Sequence, residues 1–377
     1  MPELFDWIAT LPILLQGVVI IVVFVAVVGL IVLAVEFLPR PGRGGTIFRI
    51  SLAVLVPVII LALLHTYEIA IAGGALVGLG LFLLDRRARR GAGSLLQLWA
   101  FLAPAGALLV LGLVIPFIRT VLFAFQDDSG TEFVGFENFA WIFSNPDNLV
   151  TVVNTLIWVL VAPAASTLLG LIYAVFIDNS RGEKIYKLLV FLPMAISFVG
   201  ASIIWRLVYQ ARPADEAQVG LMNAVLGMVG LGPVDPLSSA PANTFAMIVV
   251  FVWIQVGFAM VVLSAAIKGV PAEQHEAAAL DGASAFRRFT QVTIPWIRPT
   301  LIVVLSTASI ASLKVFDIVI AMTNGRNSSG VLAQQMYERF TLGENGRAAA
   351  FALLLCVLVI PLIVINVRNL RRSREGQ

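Results

Sequence analysis

The sequence predicts an all-α fold, a polytopic transmembrane helix bundle of about nine spans with the N-terminus outside and the C-terminus inside. Three observations carry that expectation. Of 377 residues 59% are hydrophobic and only 12% charged, against roughly 25% charged in a soluble domain, so most of the surface must face something other than water. The apolar residues gather into uncharged runs near the ~20 residues a helix needs to cross ~30 Å of hydrocarbon. The basic residues, finally, concentrate on alternate connections.

Taken in order, Leu11–Val35 is the first run; it lacks a basic leader and is too long for the apolar part of a signal peptide. Residues 47–84 exceed one crossing and break at His65-Thr66-Tyr67-Glu68, which gives a tight helix pair. The later spans are Ser94–Ile118, Asn148–Ile177, Leu188–Trp205, Ala242–Ile267, Pro299–Leu313 and Ala348–Val367. Apolar sequence continues past Leu313 to Met322, interrupted only by Lys314 and Asp317. The prolines inside these runs are compatible with membrane helices, which they bend. The basic stretch Asp85–Gly93 separates an N-terminal three-helix segment with its linker (1–94) from a six-span core (95–371), and 372–377 form a cytoplasmic tail.

With the N-terminus outside, the inner connections 36–49, 85–94, 178–187, 268–298 and 368–377 hold 18 of the 25 Lys and Arg. The outer connection after the fourth run carries Asp127, Asp128, Glu132, Glu137 and Asp147, with no base beyond Arg119 at its edge. This is the positive-inside distribution, and it assigns the basic pI to topology rather than to nucleic acid. The outer segment 325–347, with three arginines, fits least well.

Composition also excludes chemistry. The single cysteine, Cys356, and two histidines, His65 and His275, leave no disulfide, no thiol pair and no ordinary zinc set. No Gly-x-x-x-x-Gly-Lys-Ser/Thr loop occurs, so the chain does not bind ATP through one. His275-Glu276 opens like a His-Glu-x-x-His site, but position 279 is Ala279. Gly282-Ala283-Ser284-Ala285-Phe286 lacks the second glycine of a nucleophile elbow, and Asp317 has no second intramembrane carboxylate. A passive channel or scaffold finds no specific support.

The informative segment is the inner loop 268–298, which contains Glu276-Ala277-Ala278-Ala279-Leu280-Asp281-Gly282 and ends at Val292-Thr293-Ile294-Pro295. It predicts an Ala-rich helix with Glu276 in its first turn, a glycine break at Gly282, and a second amphipathic helix stopped before Pro295. Phe286 and Phe289 share one face of that second helix, with Arg287 and Arg288 elsewhere. Such a unit lies on the membrane surface or docks into a partner's groove; its physics alone leaves both open.

The spacing Glu-Ala-Ala, three residues, Gly, nine residues, Ile-x-Leu-Pro resembles the "EAA" loop of ABC-importer permeases, with Val292 for Ile and Ile294 for Leu. Asp281-Gly282-Ala283 is similar to the sugar-importer branch. Gly135-Phe136-Glu137-Asn138-Phe139, Pro146, Asn154-Thr155, Leu192-Pro193 and Thr323-Asn324-Gly325 also resemble that family. The run Pro193–Ser202, with Trp205 and Tyr209, is similar to permeases of α-glucoside importers. The resemblance, to the maltose/α-glucoside branch of type I importer permeases, covers residues 95–371.

The resemblance implies a transporter subunit without its own ATPase site, in a bacterial inner (plasma) membrane. Its partners would be membrane lipid, a second related permease, two ATP-binding cassette subunits that hold ATP and Mg, and an extracytoplasmic solute-binding protein. The cargo would be an α-glucoside or other di- or oligosaccharide, or else a non-sugar solute, moved by alternating access. In the loop, Glu276, Ala277, Ala278, Asp281, Gly282, Phe286, Phe289, Ile294 and Pro295 would form the coupling helix that enters the ATPase.

For the pathway, Phe251, Gln255 and Phe258 lie on one face of the seventh span, and Ala308, Ser312 and Val315 on one face of the eighth. By alignment with maltose-type permeases these match positions lining the sugar cavity, although only Gln255 and Ser312 are polar. Lys314 and Asp317, three apart, are expected to form an intramembrane ion pair on one helix; the alternative role is contact with substrate.

Overall fold

The structure, a computed structural model, describes Gly106 and residues 109–375 apart from 179. The expected helices at 11–35 and 47–84, most of the run at 94–118, and the domain boundary at 94/95 lie outside those residues. By internal contacts the chain forms two units, 1–119 and 120–377. Of the first, the described part is a π-helical turn, Val110–Val114, leading into α1 (Ile115–Phe123), which runs on into the second unit.

The second unit is helical; its described residues contain no strand, only an isolated bridge between Gln126 and Phe133. In order come α2 (Glu137–Ser144), α3 (Pro146–Ile177), α4 (Glu183–Phe191), α5 (Phe198–Tyr209), α6 (Leu221–Met228) and α7 (Ala242–Lys268). They are followed by α8 (Ala272–Leu280), α9 (Ala285–Arg288), α10 (Ile294–Leu313), α11 (Asp317–Met322), α12 (Leu332–Thr341) and α13 (Asn345–Glu375). Among the described residues three stretches are long and apolar enough to cross a membrane: α3, α7 and the continuous 285–313. A fourth crossing is made if α4 and α5, bent by 105°, count as one.

That bend falls within the run expected as a span at Leu188–Trp205 and is sharper than a simple proline bend. Pro193 has no N–H and opens a 3-10 turn at Leu192–Ala195, Ile196 is extended, and the Ser197 side chain caps α5 by accepting from Gly200 N at 3.1 Å. At α3, Asn145 Oδ1 accepts from Asp147 N at 2.9 Å and Pro146 stands in the first turn, so the helix starts two residues before the uncharged run.

The core lies where α3, α7 and α11 meet. Trp158 and Ala162 of α3 pack with Met247, Val250, Phe251 and Ile254 of α7 and with Ile318 and Val319 of α11. Without a hydrophobic driving force between helices in lipid, small residues that let backbones approach fix such crossings. A Cβ on Gly170 of α3 would stand 2.5 Å from Ala259 Cβ, and one on Gly257 of α7 would stand 2.6 Å from the Val190 carbonyl oxygen of α4.

Hydrogen bonds anchor the loops. Asn154 donates to the carbonyls of Ser328 (2.7 Å) and Gly330 (3.0 Å), and Thr155 Oγ1 accepts from Leu332 N at 2.9 Å. The turn they hold has positive φ at Asn324, Gly325, Asn327 and Ser328, and Asn and Gly are the residues that tolerate that backbone best. Asn154-Thr155 thus anchors the segment that follows Thr323-Asn324-Gly325. In loop 207–241, Asn223 is buried and bonds the carbonyls of Gln210 and Val234 and the amide of Val234.

Two arginines of the 325–347 segment are neutralised locally. Arg339 and Arg347 each reach Glu344 at 3.2 Å, Arg347 lies 3.7 Å from Asp128, and both guanidinium groups face Trp141, at 5.1 and 4.6 Å from its ring centre.

Candidate functional site

The inner loop has the bipartite form its sequence implied. α8 ends in a Schellman motif: Gly282 N donates to Ala279 O at 3.0 Å and Ala283 N to Ala278 O at 2.9 Å. Gly282 takes φ +74°, and a Cβ there would meet nothing within 4 Å. Ser284 then caps α9, its hydroxyl oxygen accepting from Arg287 N at 3.3 Å.

Two details differ from expectation. α8 begins at Ala272, so Glu273 rather than Glu276 occupies the first turn, and Glu276 is exposed at mid-helix. The second helix does not stop before Pro295: α9 passes through a π-turn at Phe289–Thr293 into α10, with Ile294 N bonding to Phe289 O. Proline is tolerated in a first helical turn, where it need not donate, and the wider turn makes room for it.

The exposed surface of the loop is apolar where solvent should repel it. Leu280 is 90% and Phe286 77% exposed, on either side of Gly282. Phe289 is half-buried, as are Val292 and Ile294, while Ala277, Asp281 and Pro295 are exposed and Ala278 is half-buried.

Beside the loop, the C-terminal ends of α3 and α7 and the start of α4 meet in an ion cluster that no sequence pattern revealed. Lys187 lies 2.6 Å from Asp178 and 2.8 Å from Glu183; Lys268 pairs with Glu183 and stands 3.7 Å from Asp178; the Ser264 hydroxyl donates to Asp178 at 2.7 Å. Only Lys187 and Glu183, four apart, were legible as a helical pair. The Asp178 side chain is 6% exposed and that of Lys187 22%. Removing the cation leaves an enclosed carboxylate, so Lys187→Met is expected to cost about 1–3 kcal/mol. That is less than a fully buried pair because solvent screens the lysine. Thermal unfolding of the solubilised protein measures it, and an unchanged midpoint would show the cluster to be ornamental.

A cavity of about 520 Å³ opens between the start of α5, the middle of α7 and the α10–α11 junction. On one side Phe198 covers the buried Phe251 with parallel rings 5.9 Å apart; on the other stand Phe316, Val315 and Ile318. Its polar groups are Thr307, Lys314 and Asp317.

Of the six pathway residues the sequence suggested, this cavity takes Phe251 and Val315. Gln255 and Phe258 are half-buried and do not line it. Ala308 and Ser312 face the packed interior, at 5% and 0% exposure, and Ser312 donates to Ser309 O at 2.9 Å. The face of α10 turned to the cavity is Thr307, Ala311 and Lys314, one residue away from the expected stripe, or about 100° of helix rotation.

Lys314 and Asp317 are not an ion pair on one helix. α10 ends at Leu313 and α11 starts at Asp317, so the helix breaks between them. Among the described residues neither has an ion-pair partner within 4.0 Å. Both are exposed, on the cavity.

The profile of the family described as "binding-protein-dependent transport system inner membrane component" matches residues 166–374. The osmoprotective compounds uptake permease protein GgtC of Synechocystis sp. is 43% identical over 73% of this chain and 99% of its own length. The alpha-glucoside transport system permease protein AglF of Rhizobium meliloti is 42% identical over 74% of this chain and 83% of its own. The trehalose/maltose transport system permease protein MalF of Thermococcus litoralis is 28% identical over 64% and 81%. Among solved structures, a chain from a bacterial ABC transporter importing the acidic polysaccharide alginate superposes with a TM-score of 0.62 at 23% identity, over 78% of this chain and 98% of that one. At that identity the likeness establishes a shared fold.

Proposed function

The chain belongs to the family of binding-protein-dependent transport system inner membrane components, and from that premise we propose that it is one of two permease subunits of an ATP-driven sugar importer. The observation that supports this best is the inner loop, whose Schellman break presents Leu280 and Phe286 to whatever docks there. Apolar side chains so exposed call for a protein groove or a lipid surface. The family spacing around Glu276 and Gly282 favours a groove on a separate ATPase subunit. That subunit would supply ATP and Mg chemistry, which this chain has no loop to perform.

In this reading ATP closes the ATPase dimer and draws the coupling loops together. The cavity then opens outward to accept solute from the extracytoplasmic binding protein. The names of the α-glucoside and trehalose/maltose relatives favour a glycoside as cargo; the osmoprotectant relative favours a second reading, a small compatible solute. Vesicles carrying this chain, its partner permease and the ATPase, supplied with binding protein, test both. ATP-dependent accumulation of labelled maltose or trehalose is expected. Equal accumulation without ATP would make the protein a channel, and transport of glycine betaine alone would select the second reading.

The proposed topology has a direct check. A reporter fused after Gln377 is expected to be cytoplasmic and one before Met1 extracytoplasmic, from the distribution of Lys and Arg. Both reporters on one side would mean the number of crossings is even.

A further inference from the structure

We infer that Lys314 and Asp317 form a charge-selective solute site in the cavity at the α10–α11 junction, one that accepts neutral glycosides and rejects anionic and cationic ones. The inference rests on the importer reading and names the substrate class of its cavity.

The argument begins with cost. An ammonium and a carboxylate in so apolar a stretch are expensive unless paired or wetted, and here they do not pair with each other or with another described residue. The backbone break at Lys314–Phe316 turns both onto a concave surface instead of burying them. A cavity of about 520 Å³ is in the range of small-molecule sites.

Its remaining wall fits a sugar ring. Phe198 and Phe316 offer faces for the C–H side of a pyranose, and the Thr307 hydroxyl sits on the α10 face about two turns from Lys314. A ring hydroxyl both donates and accepts, so it can give a hydrogen to the Asp317 carboxylate while another accepts from Lys314. Bonds to ionised groups are the stronger kind. A neutral polyol satisfies both charges at once.

A carboxylated sugar would bring like charge to Asp317, and an amino sugar like charge to Lys314. Each would also leave its own charge partly desolvated beside an apolar wall. The opposed charges therefore discriminate by repulsion as much as by attraction.

Binding is measured by equilibrium dialysis on the purified permease–ATPase complex with no binding protein present, so that selection by the latter cannot intrude. The probes are labelled maltose, a glucuronide and a glucosaminide. Wild type is expected to retain maltose and bind both charged sugars at least tenfold more weakly. Asp317→Asn should raise glucuronide binding at least fivefold relative to maltose, and Lys314→Gln should do the same for the glucosaminide. If either single variant fails to assemble, the double variant Lys314→Gln/Asp317→Asn, which leaves no unmatched charge, should lose both preferences together.

Unchanged preferences in the assembled variants would overturn the assignment, as would equal binding of all three sugars by wild type or retention of glycine betaine in place of maltose. ATP-driven maltose uptake by the same wild-type complex separates the two readings. If uptake occurs while the preferences stay fixed, only the charge-selective site is lost; if no solute is taken up, the importer reading itself fails.

Discussion

Replacing Gly257 with valine is expected to leave almost no folded permease in the membrane. A Cβ at this position would lie 2.6 Å from the Val190 carbonyl oxygen and 2.8 Å from Phe191 Cα. Both are backbone atoms of α4, so no side chain can swing aside, and α7 and α4 would have to part by about 1 Å to restore ordinary contact. Overpacking of this kind costs about 1–3 kcal/mol before the neighbouring contacts are counted. Those neighbours include Val190 itself, packed on the cluster of Ala259, Met260 and Leu263. Gly170→Val should behave alike, since its Cβ would stand 2.5 Å from Ala259 Cβ and 2.9 Å from Met260 N. Gly227 lies in α6 with open space around it, and alanine there should be tolerated or mildly stabilising, by ~1 kcal/mol at most. The yield of monodisperse protein after detergent extraction measures all three. Normal yield of Gly257→Val would show that the α7–α4 crossing is looser than its geometry implies.

Neither glycine stood out in the sequence, which shows what hydropathy can and cannot carry. Long uncharged runs located α3 and α7 to within a few residues because lipid imposes length and composition on a crossing helix. Pro193 and Ser197 interrupt the run at 188–205 without making it less apolar, so an average over the run conceals the bend between α4 and α5. The signal was present as local chemistry, a proline without an N–H followed by a cap three residues before Gly200. Facing is harder still. Mean hydropathy cannot say which stripe of α10 meets the cavity when Ala308, Ala311 and Ser312 are all small, and the stripe the sequence suggested lies one residue from the one that lines it.

Contacts between distant segments were the least legible. Asp178, Glu183 and Lys268 converge because α3 and α7 pack parallel, which brings their C-terminal ends together, and α4 turns back along α7, which no spacing announces. Lys314 and Asp317 failed in the opposite way: a spacing of three implies a pair only if the helix continues, and α10 ends at Leu313. In the loop 268–298, by contrast, the alanine-rich helix and the glycine break were readable, because they depend on local rules: alanine favours the helix and Gly282 takes the left-handed backbone. The helix start at Ala272 and the passage through Pro295 were not readable.

That locality makes Gly282→Val the sharpest functional test. Gly282 has φ +74°, a conformation that costs a β-branched residue about 1–2 kcal/mol. A Cβ there touches nothing within 4 Å, so the strain has no packing component and stays within the loop. Relieving it would unwind the Schellman bonds from Gly282 to Ala279 and from Ala283 to Ala278, and Leu280 and Phe286 would no longer be presented together. The spans, held by the Gly170 and Gly257 crossings, should insert normally. Membrane yield and attachment of the partner permease are therefore expected to match wild type, while the ATPase fails to co-purify and ATP-driven uptake falls at least a hundredfold. Glu276→Lys, reversing an exposed charge on the same face of the loop, should give the same loss. Gly282→Asn separates backbone from bulk, since asparagine tolerates positive φ and should keep most of the uptake. Should both Gly282→Val and Glu276→Lys retain the ATPase and transport at wild-type rates, the loop is not the coupling element, and energy must enter this permease elsewhere.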